Sequence, residues 1–276
     1  ELYSKILDFE QSLCIVNTRF DTFQKLREIF QRTLIIHNHD YILENFNSLI
    51  KSQDYSLMSK VYRFYVDFDS KQSLINAYSN FVENSVMDGI GVLFSNRNQD
   101  KKVFNTFVEL IVEKYKYFMN VLENNFIAKI GDMLRTYHNT FNNIINNNKF
   151  EKNKNNITIH FICQYLNQNI VKDELDDFNI IVKLLHLVKD KDVFEQYYIR
   201  YLTKRLLKHR DSYLDREHDT VTKLKQIFSS EIFSKITRII NDINISIKLE
   251  NDFDTKDLDS KSQLTVITYH NWNVKL

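Results

Sequence analysis

The chain has no proline and only 3 glycines among its 276 residues. Phosphate-binding loops, β-turns and the loop-rich active sites of α/β enzymes use these two residues for backbone angles that others adopt poorly, so catalytic folds of that type are disfavoured. What remains is helices joined by short polar loops, with asparagine doing the turn work. Cysteine is scarce too. Cys14 and Cys163 stand far apart, each inside an apolar helical pattern, which suits buried thiols in a reducing compartment better than a disulfide. Charge of one sign is also lacking, since 37 Lys and Arg face 36 Asp and Glu. The chain as a whole has no electrostatic reason to prefer nucleic acid, anionic lipid or an acidic substrate. No apolar run approaches the roughly 18 residues of a membrane span, and Glu1-Leu2-Tyr3-Ser4 is neither a signal nor a transit peptide. The expected setting is cytoplasmic or nuclear, with no membrane or nucleic-acid partner. A start inside a helical pattern without methionine reads as a piece of a longer protein.

Amphipathic periodicity is what the sequence has in quantity. With 43% hydrophobic and 26% charged residues it is too apolar for a disordered chain and fits a folded one. Leu74, Ala77, Tyr78, Phe81 and Val82 fall at i, i+3, i+4, i+7 and i+8, and Phe104, Phe107, Val108, Ile111, Tyr115, Phe118 and Leu122 hold a second stripe. Similar patterns cover 1–36, 40–51, 55–66, 126–146, 157–170, 175–188, 191–209, 214–228 and 231–243, about a dozen helices in all. Asp40, Ser70, Asp190 and Asp215 are placed to cap them. The polar stretch Asn147–Asn156 is the expected domain boundary. No function is read into the asparagine run Asn142–Asn148, which reflects compositional bias. From Leu264 to Tyr269 the pattern switches to β-branched residues with period two, which predicts a strand. A lone strand is not stable in water, so its neighbours must come from further sequence or another chain.

The residues that could carry chemistry read as structural. His37-Asn38-His39-Asp40 is the tightest cluster of metal-ligand types, but alternate residues share no helical face and no third ligand is near, so it reads as a capped helix start. His138, His160, His186, His209 and His218 show no HExxH or ExxH pairing. The acidic run Asp173–Asp177 precedes Phe178, Ile181, Val182 and Leu185 and reads as a solvated first turn favoured by the helix dipole. Gly89-Ile90-Gly91 lacks a third glycine and a preceding strand, and predicts a loop closing a helix that ends near Asn84. The basic run Lys204–Arg210 reads as dipole stabilisation at a helix end, with an acidic partner as the other reading. No nucleophile, acid pair, metal shell or cofactor motif stands out.

One helix carries more than periodicity. Lys191-Asp192-Val193-Phe194-Glu195-Gln196-Tyr197-Tyr198, then Leu202, then Lys204-Arg205-Leu206-Leu207 resembles the cullin pattern KDVFExYY…L…(K/R)RLL. Val193, Phe194, Tyr197, Tyr198, Tyr201 and Leu202 form a broad stripe, so the helix should pack on two neighbours, while Lys204 and Arg205 should reach solvent or a partner. In register beyond it, Asp215-x-Glu217 with Lys223-Leu224-Lys225 is similar to the family's D-x-E…KLK. Phe233-Ser234-Lys235-Ile236, Asp242-Ile243 and Ser246 are similar to its F-T-S-K…D-(I/M)…S, and Leu264-Thr265-Val266 with Trp272 to the opening of its α/β subdomain. Weaker likeness reaches back to Leu57–Tyr62. The sequence departs from the family at Ser229–Ile232, where cullins carry Cys-Gly, at Asn273, where they carry proline, and at Asn169–Lys172, where many have a lysine-rich loop. Glu195-Gln196-Tyr197-Tyr198 is most similar to the cullin-3 type, which pairs with BTB-domain adaptors.

The resemblance implies a mainly α fold: an elongated cullin-repeat stalk over 1–150, a four-helix bundle over 157–262, and the first strand of an α/β subdomain over 263–276. It implies a non-catalytic scaffold of a cullin-RING ubiquitin ligase, without cofactor or metal. Its partners would be a RING-box protein, a substrate adaptor held by an N-terminal region outside this chain, and a ubiquitin-conjugating enzyme held indirectly. Leu264, Val266, Thr268 and Trp272 would form the RING-partner interface. A helical-repeat tethering or trafficking scaffold unrelated to ubiquitin is the other reading of the same helices.

Overall fold

Apolar residues at one-turn intervals become the buried faces of nine helices among the described residues. The structure, a computed structural model, describes residues 37–67, 70–95, 103–125, 130–146, 157–172, 177–252, 265–268 and 270–272, with single positions between Lys25 and Thr33. Nearly all of the helix expected over 1–36 with Cys14, the boundary stretch 147–156, residues 173–176 of the acidic run, Leu264 and Asn273 lie outside these residues. The helices are α1 (His37–Ser52), α2 (Tyr55–Asp67), α3 (Lys71–Ser95), α4 (Val103–Asn125), α5 (Ile130–Ile145), α6 (Ile157–Lys172), α7 (Phe178–Leu187), α8 (Lys191–Leu224) and α9 (Ser230–Asp252). They form two compact units: the described residues up to Ser85 with Lys116–Thr140, and Val86–Tyr115 with those from Phe141 onward.

In the first unit, α1 ends in a tight reversal. Gln53 takes φ 57°, and the Asp54 and Gln53 N–H groups return to the Leu49 and Ile50 carbonyls at 3.3 and 3.4 Å. This is the helix stop that glycine usually serves, made here without one. Asp54 then caps α2, its Oδ1 accepting the Leu57 N–H at 3.1 Å. Asp40, an expected cap, lies inside α1 instead, two residues past a kink at Asn38. Leu74, Tyr78 and Val82 of the predicted α3 stripe are buried, and Ala77 and Phe81 are half-buried. The Tyr78 hydroxyl donates to the Phe118 carbonyl at 3.0 Å, and its burial pushes the phenol well up, which keeps it a neutral donor. The rings of Tyr78 and Phe81 both meet Phe118 edge-on. Tyr117 donates to the Ile50 carbonyl at 2.8 Å. On the surface Lys71 bonds Asp132 at 2.8 Å, and that hydrogen bond lowers the Asp132 carboxyl.

In the second unit the predicted break at Gly89-Ile90-Gly91 does not occur, because α3 runs through it to Ser95. Val86 and Ile90 continue the buried stripe of Tyr78 and Val82 at intervals of four. A Cβ on Gly89 would stand 2.8 Å from Leu110 Cδ1, whereas one on Gly91 would meet nothing within 4 Å. Gly89 therefore serves a close approach to Leu110 on α4, and Gly91 has no steric role. Gly91→Ala is expected to raise stability by about 0.5–1 kcal/mol through helix propensity. Gly89→Ala should gain less, because the Leu110 side chain must rotate, and Gly89→Val should lose; urea midpoints of the three variants check the order.

Phe107 of α4 packs edge-on against Phe161 of α6 at 5.2 Å, and Tyr115 against Phe141 at 5.0 Å. Asn146, from the asparagine run set aside above, has a definite task. Its amide donates to the Leu187 carbonyl at 2.9 Å and accepts the Lys189 N–H at 3.0 Å, closing the end of α7. Asp190 starts α8 with its carbonyl rather than its side chain, accepting the Val193 and Phe194 N–H groups. Ser229 caps α9, its Oγ accepting the Ile232 N–H at 3.4 Å.

The 34 residues of α8 do not form a straight rod. Twelve residues of straight helix rise about 18 Å, yet Arg205 Nε and Glu217 Oε1 are in direct hydrogen-bond contact. Phe194 stacks on Phe228 at 5.8 Å, and Glu195 accepts the Ser229 N–H at 2.5 Å. The midpoints of these pairs fall at Asp211 and Ser212, so the helical backbone folds back there into two antiparallel arms. The arms match the separate helices that periodicity predicts over 191–209 and 214–228. Asp215 lies within the second arm. The first arm packs on α6, and α8 as a whole also contacts α9.

Candidate functional site

Two polar clusters in the second unit gather the residues that the sequence singled out. The first lies between the arms of α8 and the face of α6. Arg205 is 6% exposed and Glu217 is fully buried, which corrects the expectation that Arg205 reaches solvent; only Lys204 does. Besides Glu217, the guanidinium donates from Nη1 to Asn167 Oδ1 of α6 at 2.6 Å. The Tyr198 hydroxyl donates to Glu217 Oε2 at 3.3 Å, and the guanidinium carbon stands 5.9 Å from the Tyr198 ring centroid. Burial holds the Tyr198 phenol well above its ordinary value, with the Glu217 charge adding to the effect. Arg205 Nη2 is buried without a hydrogen-bond partner among the described residues. An arginine paired in this way binds three helical segments through one planar group, which lysine could not do.

The surroundings finish the lock. Cys163 is buried, its thiol directed to the Phe194 carbonyl at 3.9 Å and pushed far up by desolvation, so it is neither nucleophile nor ligand. Arg216 donates to the Ile170 and Val171 carbonyls at 3.4 and 3.1 Å, capping the C-terminal turn of α6 with a positive charge. His160 meets the Tyr201 hydroxyl at 3.4 Å and the Tyr197 ring at 4.8 Å.

The second cluster is a clamp on α9. Asp242 accepts the Thr268 N–H at 2.8 Å, the Thr268 hydroxyl at 3.0 Å and the Trp272 indole N–H at 2.8 Å. One turn later, buried Ser246 accepts the Val266 N–H at 2.8 Å and meets the Val266 carbonyl at 3.3 Å. Residues 265–268 form no strand ladder among the described residues; side chains of α9 take their backbone groups instead. Trp272 is 5% exposed and anchors the clamp, while Val266 is 44% exposed. Trp272 is the chain's single tryptophan. Asp242→Ala removes three acceptor bonds at an ionised group, each worth about 1.5–3 kcal/mol. It should free residues 265–272 and shift the indole emission to the red, with the helical circular dichroism unchanged.

The motif residues thus fall into the lock, the clamp and their flanks. Phe194, Tyr198, Arg205 and Leu206 are buried, Val193, Tyr197 and Lys235 half-buried, and Lys191 and Asp192 open the first arm. Lys223 and Lys225 are exposed, their ammonium groups 5.3 Å over the Phe178 and Phe233 rings. A family model described as the cullin alpha solenoid domain matches residues 2–250. The chain belongs to the cullin family. Among curated relatives, cullin-1 of Schizosaccharomyces pombe is 21% identical, over 88% of this chain and 33% of its own length. Cullin-5 of Dictyostelium discoideum is 24% identical over 92% and 36%, and cullin-3 of the same organism 25% over 84% and 30%. The chain spans about a third of the length of these relatives, and the identities set no cullin type apart. For this cullin, then, part of the motif has a physical meaning: Arg205, Glu217 and Tyr198 are buried partners of one another. No group of three metal-ligand side chains occurs among the described residues, and no described helix is long and apolar enough to cross a membrane.

Proposed function

We propose that this chain is the scaffold segment of a cullin-RING ubiquitin ligase, non-catalytic itself, joining a substrate-adaptor region outside the chain to a RING-box protein at its C-terminal side. The family match over residues 2–250 carries this reading. The buried Arg205–Glu217–Tyr198 lock supports it, because these three polar groups of the motif are engaged in holding helices together. A scaffold acts by position: it raises the effective concentration of a charged conjugating enzyme near the substrate, provided that its helices do not flex. The test is isolation of the full-length protein from its own cells. Recovery of a RING-box protein, with ubiquitin transfer to an adaptor-bound substrate in a reconstituted reaction, is the expected result. A complex without any RING protein would favour the tethering-scaffold reading and overturn this one.

The RING-box contact is proposed along residues 264–268. The Val266 and Thr268 N–H groups turn toward α9, the alternation of an extended chain, which leaves the Thr265 and Ile267 backbone groups on the outer edge for a partner strand. Val266→Pro would also break the bond to Ser246, so Ile267→Pro is the sharper variant. It should abolish RING-box binding by the full-length protein while Trp272 emission stays unshifted; retained binding rejects the contact.

A further inference from the structure

The first unit carries a groove of about 420 Å³ between α1 and α3, remote in sequence from the lock and the clamp. Asn76, Asn80 and Asn84 line it at intervals of four residues, one above the other on a single face of α3. Asn47 of α1 faces them, and its buried side-chain oxygen has no hydrogen-bond partner among the described residues. Leu43 and half-buried Phe81 supply an apolar floor. Asn80 and Asn84 are exposed and make no side-chain hydrogen bond among the described residues, while Asn76 uses only its oxygen, accepting from Gln72 at 2.9 Å. No lysine, arginine or carboxylate lines the groove.

A side-chain amide offers one acceptor and two donors, the same complement that a peptide backbone needs. Residues four apart on a helix stand about 6 Å apart along the axis. An extended chain presents the same edge every second residue, about 6.6–6.8 Å. Three stacked amides therefore match alternate peptide units over five residues, with a drift of about 1.5 Å that asparagine rotation can absorb. A free solute such as a sugar or nucleotide has no such repeat, and the lining itself offers a charged peptide no counter-charge, the neighbouring Lys51 ammonium being held 5.7 Å over the Phe81 ring. We propose that this groove binds an extended, uncharged peptide segment of a partner protein, read through its backbone by the asparagine ladder, with one apolar side chain seated on Phe81.

The probe is a random dodecapeptide display library, panned against this 276-residue chain. Peptides enriched on the chain should lose roughly ten-fold or more in affinity against Asn80→Ala/Asn84→Ala, as loss of two net hydrogen bonds implies. Both residues are exposed, so thermal melting should not change. Ala77→Arg, which places a long side chain across the groove, should abolish binding by a separate route. The backbone reading has its own signature: N-methylation of alternate peptide amides in one register should abolish binding and in the other should spare it. Failure to enrich any peptide, equal binding by the asparagine variants, or equal effects of the two methylation registers would overturn the proposal. None of these outcomes depends on a RING-box protein.

Discussion

Glu217→Ala is expected to destabilise the chain by about 3–5 kcal/mol, the usual cost of leaving one member of a buried ion pair uncompensated. Arg205 would keep its charge at 6% exposure with Asn167 as its remaining side-chain hydrogen-bond partner among the described residues, and the Tyr198 hydroxyl would lose its Glu217 acceptor. Glu217→Gln retains a neutral acceptor of the same shape and should cost less. Arg205→Met/Glu217→Leu removes both charges and should lie near the parent or above it, since desolvating two charges offsets much of their attraction. Chemical denaturation of Arg205→Met, Glu217→Leu and the double variant gives the coupling directly. The cycle also tests the fold-back of α8. On a straight helix residues 205 and 217 would stand about 18 Å apart, and substitutions at that distance would add within about 0.5 kcal/mol. Additivity would therefore rule out both the pair and the reversal at Asp211–Ser212.

Phe194→Ala should cost about 3–5 kcal/mol, the range for truncating a buried aromatic residue in a close-packed core. Phe194 is fully buried, stacks on Phe228 with a 15° interplanar angle, and lies 6.0 Å from the Tyr198 ring. It is the apolar counterpart of the lock, holding the first arm of α8 against the turn that leads into α9. The variant has a second readout. The Cys163 thiol points at the Phe194 carbonyl and is buried with it, so in the parent chain its alkylation should require unfolding. A cavity next to it should let the reagent in, and mass spectrometry should find Cys163 labelled in Phe194→Ala at urea concentrations that leave the parent unlabelled. Equal labelling would place Phe194 outside the core.

How much of this was legible beforehand differs from residue to residue. The stripes of α3 and α4 and the two arms of α8 follow from apolar spacing, because one face of each helix must leave water. The lock was half-visible: Tyr198, Arg205 and Glu217 were picked out by their likeness to cullins, yet Arg205 was expected at the surface. An arginine in a basic run looks solvated unless its acid is known, and that acid lies twelve residues away across a reversal that no glycine or proline marks. Asn146 was passed over inside a low-complexity run for the same reason, as its partners at Leu187 and Lys189 are some forty residues on. The break predicted at Gly89-Ile90-Gly91 failed because a glycine that ends a helix and one that admits a neighbour's side chain look alike in one dimension. Only the distance to Leu110 separates them.

The sequence alone determined that this is a helical chain, where most helices start and stop, and to which family it belongs. Those properties depend on local spacing and on residue identities that can be read in order. The tertiary structure alone decided which polar residues face one another: Arg205 with Glu217 and Asn167, Asp242 with Thr268 and Trp272, and Asn47 with the ladder on α3. A polar side chain is equally content with water or with a buried partner, and the choice is made by whatever the fold brings within about 3 Å of it.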